Sequence, residues 1–133
     1  MPLLAARFVR TALLLLLASF AAGAWALAAK GTAAAMPAGL RGAHVELALV
    51  GWVLQLALGV AYWILPKHAE GPPRGSDAPV AASWFLLNAG LGVAVLGAAA
   101  GRDALVAGGR LLELGAVALF ARHALPRIKA FGR

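Results

Sequence analysis

The chain has 133 residues, of which 62% are hydrophobic and 13% charged, and its mean hydropathy is +0.85. A composition this apolar is typical of a membrane protein and leaves no room for a soluble domain. The net charge of +7 is expected from basic residues at helix ends, so it does not indicate a nucleic-acid partner. The lack of cysteine excludes disulfides, iron–sulfur clusters, thiolate metal sites and covalent attachment of c-type haem.

Hydrophobic runs in chain order predict four helices in a single transmembrane domain that covers residues 1–133. The first run follows basic residues, as the apolar segment of a secretory signal peptide does, but it is longer than that segment usually is. We therefore interpret it as a first transmembrane helix, in contact with the lipid bilayer like the rest. The sequence predicts an all-α integral membrane four-helix bundle, with helices at about residues 7–29, 38–65, 79–100 and 104–125.

Basic residues are distributed unequally between the two ends of this predicted bundle. Eight Lys and Arg residues fall at the end that carries both termini, three at the other end, and Arg110 lies inside the fourth helix. By the positive-inside rule both termini are expected in the cytoplasm, with the protein in the inner membrane of a bacterial cell as a multi-pass protein. His44 would then lie near the outer surface, and His68 and His123 near the inner one.

The second predicted helix carries an asymmetric pattern. At about 100° per residue, one of its faces combines a histidine, small residues and polar groups, whereas the opposite face is purely apolar. The members of this face are His44, Ala48, Gly51, Gln55, Leu58 and Tyr62. We interpret it as a candidate cofactor-binding surface, on which Gln55 and Tyr62 are expected to make hydrogen bonds between helices.

The fourth predicted helix contains charged residues within its apolar run. Arg110 would lie about 10 Å deep, which is about the depth of His44. Glu113 follows on the same face and is expected to pair with Arg110. Because charges inside a membrane are costly unless they are paired and face protein, both are candidate functional groups. A plain packing ion pair is the alternative interpretation.

An imidazole, an arginine and a groove of small residues together predict a haem b site. His44 would be the metal ligand, and Ala48 and Gly51 would admit the flat macrocycle. Arg110, together with Arg41, would bind the propionates through charge-assisted hydrogen bonds. The chain would hold one haem, or two chains would share one in a homodimer formed through Gly/Ala-rich helix faces. A histidine that merely sits at the membrane interface is the alternative.

Several residues of the second helix form a spaced motif. They read R-x-x-H, then GW, then G-x-x-Y-x-x-L-P, and they are Arg41, His44, Gly51, Trp52, Gly59, Tyr62, Leu65 and Pro66. This motif resembles the second helix of the catalytic subunit in the haem–copper oxidase superfamily, especially its nitric-oxide-reductase branch and small single-module relatives. The resemblance covers about 26 of the 133 residues. It implies that His44 is an axial ligand of a low-spin haem.

The rest of the chain departs from that superfamily. Its catalytic subunits have about twelve helices and a His-x-His pair, whereas this chain has three histidines in total and no such pair. We therefore expect no catalytic activity from the chain by itself. The second axial position stays open between a second His44 in a twofold dimer, Met36, and a five-coordinate iron that binds a small gas.

The expected function is that of a b-type haem membrane protein in electron transfer or gas binding, with a redox partner or a respiratory complex. The alternative is a non-haem accessory or assembly subunit that packs beside a respiratory membrane complex. A small transporter or channel is a weaker interpretation, because few polar residues are available to line a path.

Overall fold

A computed structural model describes residues 1–32, 36–68 and 74–128 of the chain. These residues form four helices and no strand, and a short 3-10 turn at Leu125–Arg127 follows the last helix. The helices are α1 (Leu3–Gly31), α2 (Leu40–Ile64), α3 (Ala78–Ala99) and α4 (Asp103–Ala124). The predicted ranges differ from these bounds by a few residues, and the largest difference is at the start of α1.

The helix α1 begins at Leu3 because its first turn packs against the core. Leu4 and Ala5 are buried, and Phe8 is fully buried with its ring edge-on to Phe120, at 6.3 Å between centroids. On α2, a Cβ added to Gly59 would lie 2.6 Å from the Cβ of Phe8. The helices α1 and α2 therefore approach each other closely at Phe8 and Gly59. In the sequence, Phe8 only precedes the first apolar run.

The helix α2 is not a uniform α-helix. Its α-helical ends, Leu40–Glu46 and Gln55–Ile64, enclose a π-helical segment at Leu47–Leu54. A turn closed by i→i+5 hydrogen bonds contains an additional residue, which rotates the following residues by about 100° relative to an ideal helical wheel. The single face predicted for α2 is therefore divided into parts that point towards different neighbours.

Each of these helices is long and apolar enough to cross a membrane. Only 11% of the most apolar part of α1 is buried by the rest of the chain. Large apolar side chains such as Leu14, Leu17 and Phe20 are more than half exposed. A surface of this kind requires a hydrocarbon environment, so the helices indicate a multi-pass membrane protein in contact with the bilayer.

The most extensive helix contact joins α3 to α4 through small residues. A Cβ added to Gly90 would lie 2.6 Å from the carbonyl oxygen of Gly109, and one added to Gly109 would lie 2.6 Å from the backbone nitrogen of Ala94. The hydroxyl of Ser83 donates to the carbonyl of Ala116 across the same contact, at 2.8 Å. Small side chains thus allow the two backbones to touch, which is the usual basis of helix packing in membranes.

The connections define two ends of the bundle. We call the end at which α1 ends and α2 begins the His44 end. The opposite end, at which α2 ends, α3 begins and the last turn of α4 lies, is the His123 end.

Substitution of Gly109 by alanine should destabilise the fold, because its Cβ would overlap the backbone of α3. We expect a loss of about 1–3 kcal/mol in the free energy of unfolding. Gly108→Ala is the matched control, since a Cβ there meets no atom within 4 Å, and it should be neutral or slightly stabilising. Unfolding in SDS, followed by circular dichroism, measures both. Equal stability of the two variants would contradict the close α3–α4 approach.

Candidate functional site

The imidazole of His44 lies between α1 and α2 at the His44 end. Its Nδ1 is 2.8 Å from the carbonyl oxygen of Ser19, and the hydroxyl of Ser19 is 3.0 Å from the carbonyl oxygen of His44. The hydroxyl is also 3.2 Å from Nδ1. Because the carbonyl of Ser19 can only accept and is closer to Nδ1, we assign a proton to Nδ1 that it donates to this carbonyl, while the hydroxyl of Ser19 donates to the carbonyl of His44. In the neutral ring, this arrangement leaves Nε2 without a proton and with its lone pair available to a metal.

Gly23 makes this approach of the imidazole possible. A Cβ added to Gly23 would lie 2.8 Å from Cε1 and 2.9 Å from Nδ1 of the His44 ring. Ser19 and Gly23 are one helical turn apart, so they lie on the same face of α1. Together they form a notch in α1. Gly23 leaves space for the imidazole, and the carbonyl of Ser19 accepts the hydrogen bond from its Nδ1.

A cavity of about 230 Å³ lies beside the imidazole, and His44 is part of its wall. Gly23 and Ala26 give it a floor of small residues, and Lys30 and Arg41 contribute basic side chains. Cavities that enclose a whole ligand usually measure about 300–1,000 Å³. The cavity in a single chain is therefore smaller than this range, and it is lined by one imidazole and two basic side chains.

The middle of α2 does not continue this cavity. Gly51 is buried, and a Cβ added to it would lie 3.1 Å from side-chain atoms of both Leu15 and Leu91, so the space beside it is filled. Ala48 is half-buried in the π-helical segment. Gln55 is completely buried, and its amide oxygen and nitrogen find no hydrogen-bond partner among the described residues. These residues pack inside the bundle, away from the His44 cavity.

Arg110 pairs with Glu46 rather than with the predicted partner, Glu113. The guanidinium and the Glu46 carboxylate are 3.4 Å apart, and the Arg110 side chain is 64% exposed. Glu113 is buried against Gly90, and one of its carboxylate oxygens has no partner in the described part of the chain. Since His44 and Glu46 are about 200° apart around the helix, His44 and Arg110 contact different sides of α2. The predicted layer of His44, Arg110 and Glu113 is therefore not assembled.

Tyr62 belongs to the His123 end, about 27 Å from His44 along α2 at about 1.5 Å per residue. It is buried, and its hydroxyl donates to the carboxylate of Asp77. Its ring centroid is 6.1 Å from that of His123. Tyr62 and His44 therefore cannot contact the same bound cofactor within one chain.

Arg127 closes the end of α2. Although its side chain is charged, the residue is only 2% exposed, and its guanidinium lies 5.4 Å from the centre of the Tyr62 ring. Its Nη2 donates to the carbonyls of Tyr62 and Leu65 at 3.1 and 2.8 Å, and its Nε donates to Pro66 at 3.1 Å. Carbonyls at the end of a helix lack partners within the helix, so Arg127 acts as a cap.

No family model, curated protein or solved structure matches this chain. The described residues contain no group of three or more His, Asp or Glu side chains that could hold a metal ion. A haem requires only one or two axial ligands, because the porphyrin supplies the others.

The contribution of α1 to this cavity was not predicted. Ser19 and Gly23 lie within the first predicted transmembrane helix, and Lys30 lies just beyond its predicted end at residue 29. A polar residue followed one turn later by glycine is a usable signal for a contact between membrane helices, since both residue types are enriched there.

Replacement of Arg127 by lysine should destabilise the protein. A lysine keeps the charge, but its ammonium group cannot reproduce the planar fork that reaches several carbonyls. The carbonyls left without a partner are expected to cost about 1–3 kcal/mol of unfolding free energy. Arg10→Lys, at an exposed position of α1, is the control and should leave the stability unchanged. Thermal unfolding followed by circular dichroism compares them, and an unchanged melting temperature for Arg127→Lys would rule out the capping role.

Proposed function

We propose that the protein is a b-type haem protein of the membrane, with His44 as an axial ligand, that serves electron transfer or the binding of a small gas. The observation that carries the proposal is the hydrogen-bond geometry of the His44 ring. Its Nδ1 donates to the Ser19 carbonyl at 2.8 Å, and the same ring lines the basic cavity. Metal-binding histidines commonly donate their second ring nitrogen in this way, which orients the ring and increases its basicity.

The residues around His44 fit a haem in ligand type and charge. Gly23 and Ala26 line the cavity beside the imidazole in which part of a flat ring would lie, and Arg41 and Lys30 would bind the propionates. Lys30 would take the role expected of Arg110, which is paired with Glu46. A bound haem would supply the redox change of its iron or an open position for a gas. The chain would ligate it, orient it and exclude water.

The incomplete cavity supports a homodimer. About 230 Å³ surrounds only part of a macrocycle, so a second chain would be needed to cover the rest. The Gly/Ala-rich stretch of α1 around Gly23 carries the exposed surface beside the site and suits close packing of two chains. In such a dimer, two His44 side chains would bind one iron. Met36, which is 40% exposed in the connection before α2, and a five-coordinate iron are the alternatives for the sixth position.

The orientation in the membrane follows from charge. Arg7, Arg10 and Lys67 all lie at the His123 end, whereas Lys30 and Arg41 are among the few basic residues at the His44 end. We infer cytoplasmic termini and a bacterial inner membrane location, with His44 towards the outer surface. The R-x-x-H motif of α2 and its resemblance to haem–copper oxidases support the same placement.

A non-haem accessory subunit is the second candidate, and the outward-facing glycines favour it. A Cβ added to Gly92, Gly108 or Gly115 would meet no atom within 4 Å. Gly108 and Gly115 are seven residues apart on α4 and therefore share a face. Small residues that face outward allow another transmembrane helix to approach, as a subunit of a respiratory complex would.

An optical spectrum of the purified protein tests the haem proposal. The protein should show a Soret band and, after reduction, the bands of haem b. His44→Ala should remove most of this absorbance, because it removes the iron ligand, whereas His68→Ala at the opposite end should retain it. A colourless protein that co-purifies with other membrane subunits would instead support the accessory role.

A second variant tests the notch in α1. Gly23→Ala would place a Cβ 2.8 Å from the His44 ring, so the imidazole must move. We expect the haem content to fall at least fivefold, while the control Gly31→Ala, where a Cβ meets no atom within 4 Å, keeps its haem. Pyridine haemochrome assay measures the haem per chain. Full occupancy in Gly23→Ala would show that the haem does not depend on this position of His44.

A further inference from the structure

A second cavity lies at the His123 end, separate from the His44 site. Its volume is about 340 Å³, and its wall includes His68, Ser76, Arg122 and His123. Leu119 and Pro126 add an apolar side. The cavity therefore combines a guanidinium, two imidazoles and a hydroxyl with an apolar surface at the end of the membrane-spanning helices.

The chain brings the two histidines together over a glycine. A Cβ added to Gly75 would lie 3.4 Å from Cε1 of His123 and 3.7 Å from Nε2 of His68. Gly75 also has a φ of +73°, a backbone conformation that residues other than glycine rarely adopt. Glycine at this position therefore permits a backbone conformation in which His68, which follows α2, lies close to His123 in the last turn of α4.

Two buried nitrogens at this end have no hydrogen-bond partner among the described residues. Nε2 of His123 is buried without a partner among the described residues, and so is Nε of Arg74. The carboxylate of Asp77, next to Ser76, already accepts a hydrogen bond from Tyr62. Buried polar groups are normally paired, so the unpaired Nε of Arg74, next to Gly75 in the cavity wall, leaves a donor for an anionic group from outside the described residues.

We propose that this cavity binds a phosphate group, carried by an anionic lipid or present as a free ion. Arg122 would supply the charge, and the imidazole of His68 and the hydroxyl of Ser76 would supply further donors. Basic pockets between membrane helices bind anionic headgroups in this way. A metal cation in this cavity would be repelled by Arg122. The proposal does not use the haem.

Calorimetric titration of the full chain, freed of lipid in a neutral detergent, tests the proposal. The probes are short-chain phosphatidylglycerol, short-chain phosphatidylcholine and inorganic phosphate. Phosphatidylglycerol should bind at least tenfold more tightly than phosphatidylcholine, and Arg122→Gln should weaken its binding at least tenfold. Arg10→Gln removes an exposed charge at the same end and should change the affinity less than twofold.

The probes also distinguish the source of the phosphate. Competition by inorganic phosphate would support recognition of the phosphate group itself, and its absence would support recognition of the lipid. Equal losses in Arg122→Gln and Arg10→Gln would overturn the proposal in favour of general surface charge, and unchanged binding in Arg122→Gln would overturn it outright. If circular dichroism shows that Arg122→Gln is unfolded, the double variant His68→Ala with Ser76→Ala is held to the same tenfold criterion.

Discussion

The reciprocal hydrogen bonds between Ser19 and His44 are the constraint on which the proposed site depends. Water in a bilayer is scarce, and each unpaired polar group there costs several kcal/mol. Ser19 and His44 satisfy each other's hydrogen-bonding groups. Gly23 leaves space for the imidazole, since a Cβ added to Gly23 would lie 2.8 Å from the ring. The contact joins α1 to α2 and, at the same time, leaves Nε2 of the imidazole without a proton, which is the state that metal ligation requires. The structural role and the proposed function thus rest on the same atoms.

The polar residues of α2 serve opposite ends of the bundle. At the His44 end, the imidazole is docked on α1 beside the cationic side chains of Lys30 and Arg41. At the His123 end, Tyr62 contacts Asp77, and Arg127 caps the last carbonyls of the helix. The polar residues that the helical wheel placed on one face of α2 therefore belong to two separate clusters. These clusters are about 27 Å apart along the helix, at a rise of about 1.5 Å per residue.

The helices themselves could be predicted because long apolar runs and Pro66 mark them directly. Their neighbours could not, because an apolar residue does not specify which helix it meets. The π-helical segment Leu47–Leu54 leaves no signal in an evenly apolar stretch, so the wheel placed Gly51 and His44 on one groove. The sequence predicted that Arg110 pairs with Glu113, the nearest acidic residue along the chain, whereas the approach of α4 to α2 brings Arg110 to Glu46. Only the identity of His44 as the candidate ligand could be read from the residues themselves.

The tautomer of His44 is the most direct test of this account. Nitrogen-15 NMR of the histidine-labelled, haem-free protein in detergent reports which ring nitrogen carries the proton, and the spectrum of His44→Ala assigns the signal. The account predicts a protonated Nδ1 and an unprotonated Nε2. A protonated Nε2 with a bare Nδ1 would contradict the hydrogen bond to Ser19 and remove the basis for metal ligation by His44.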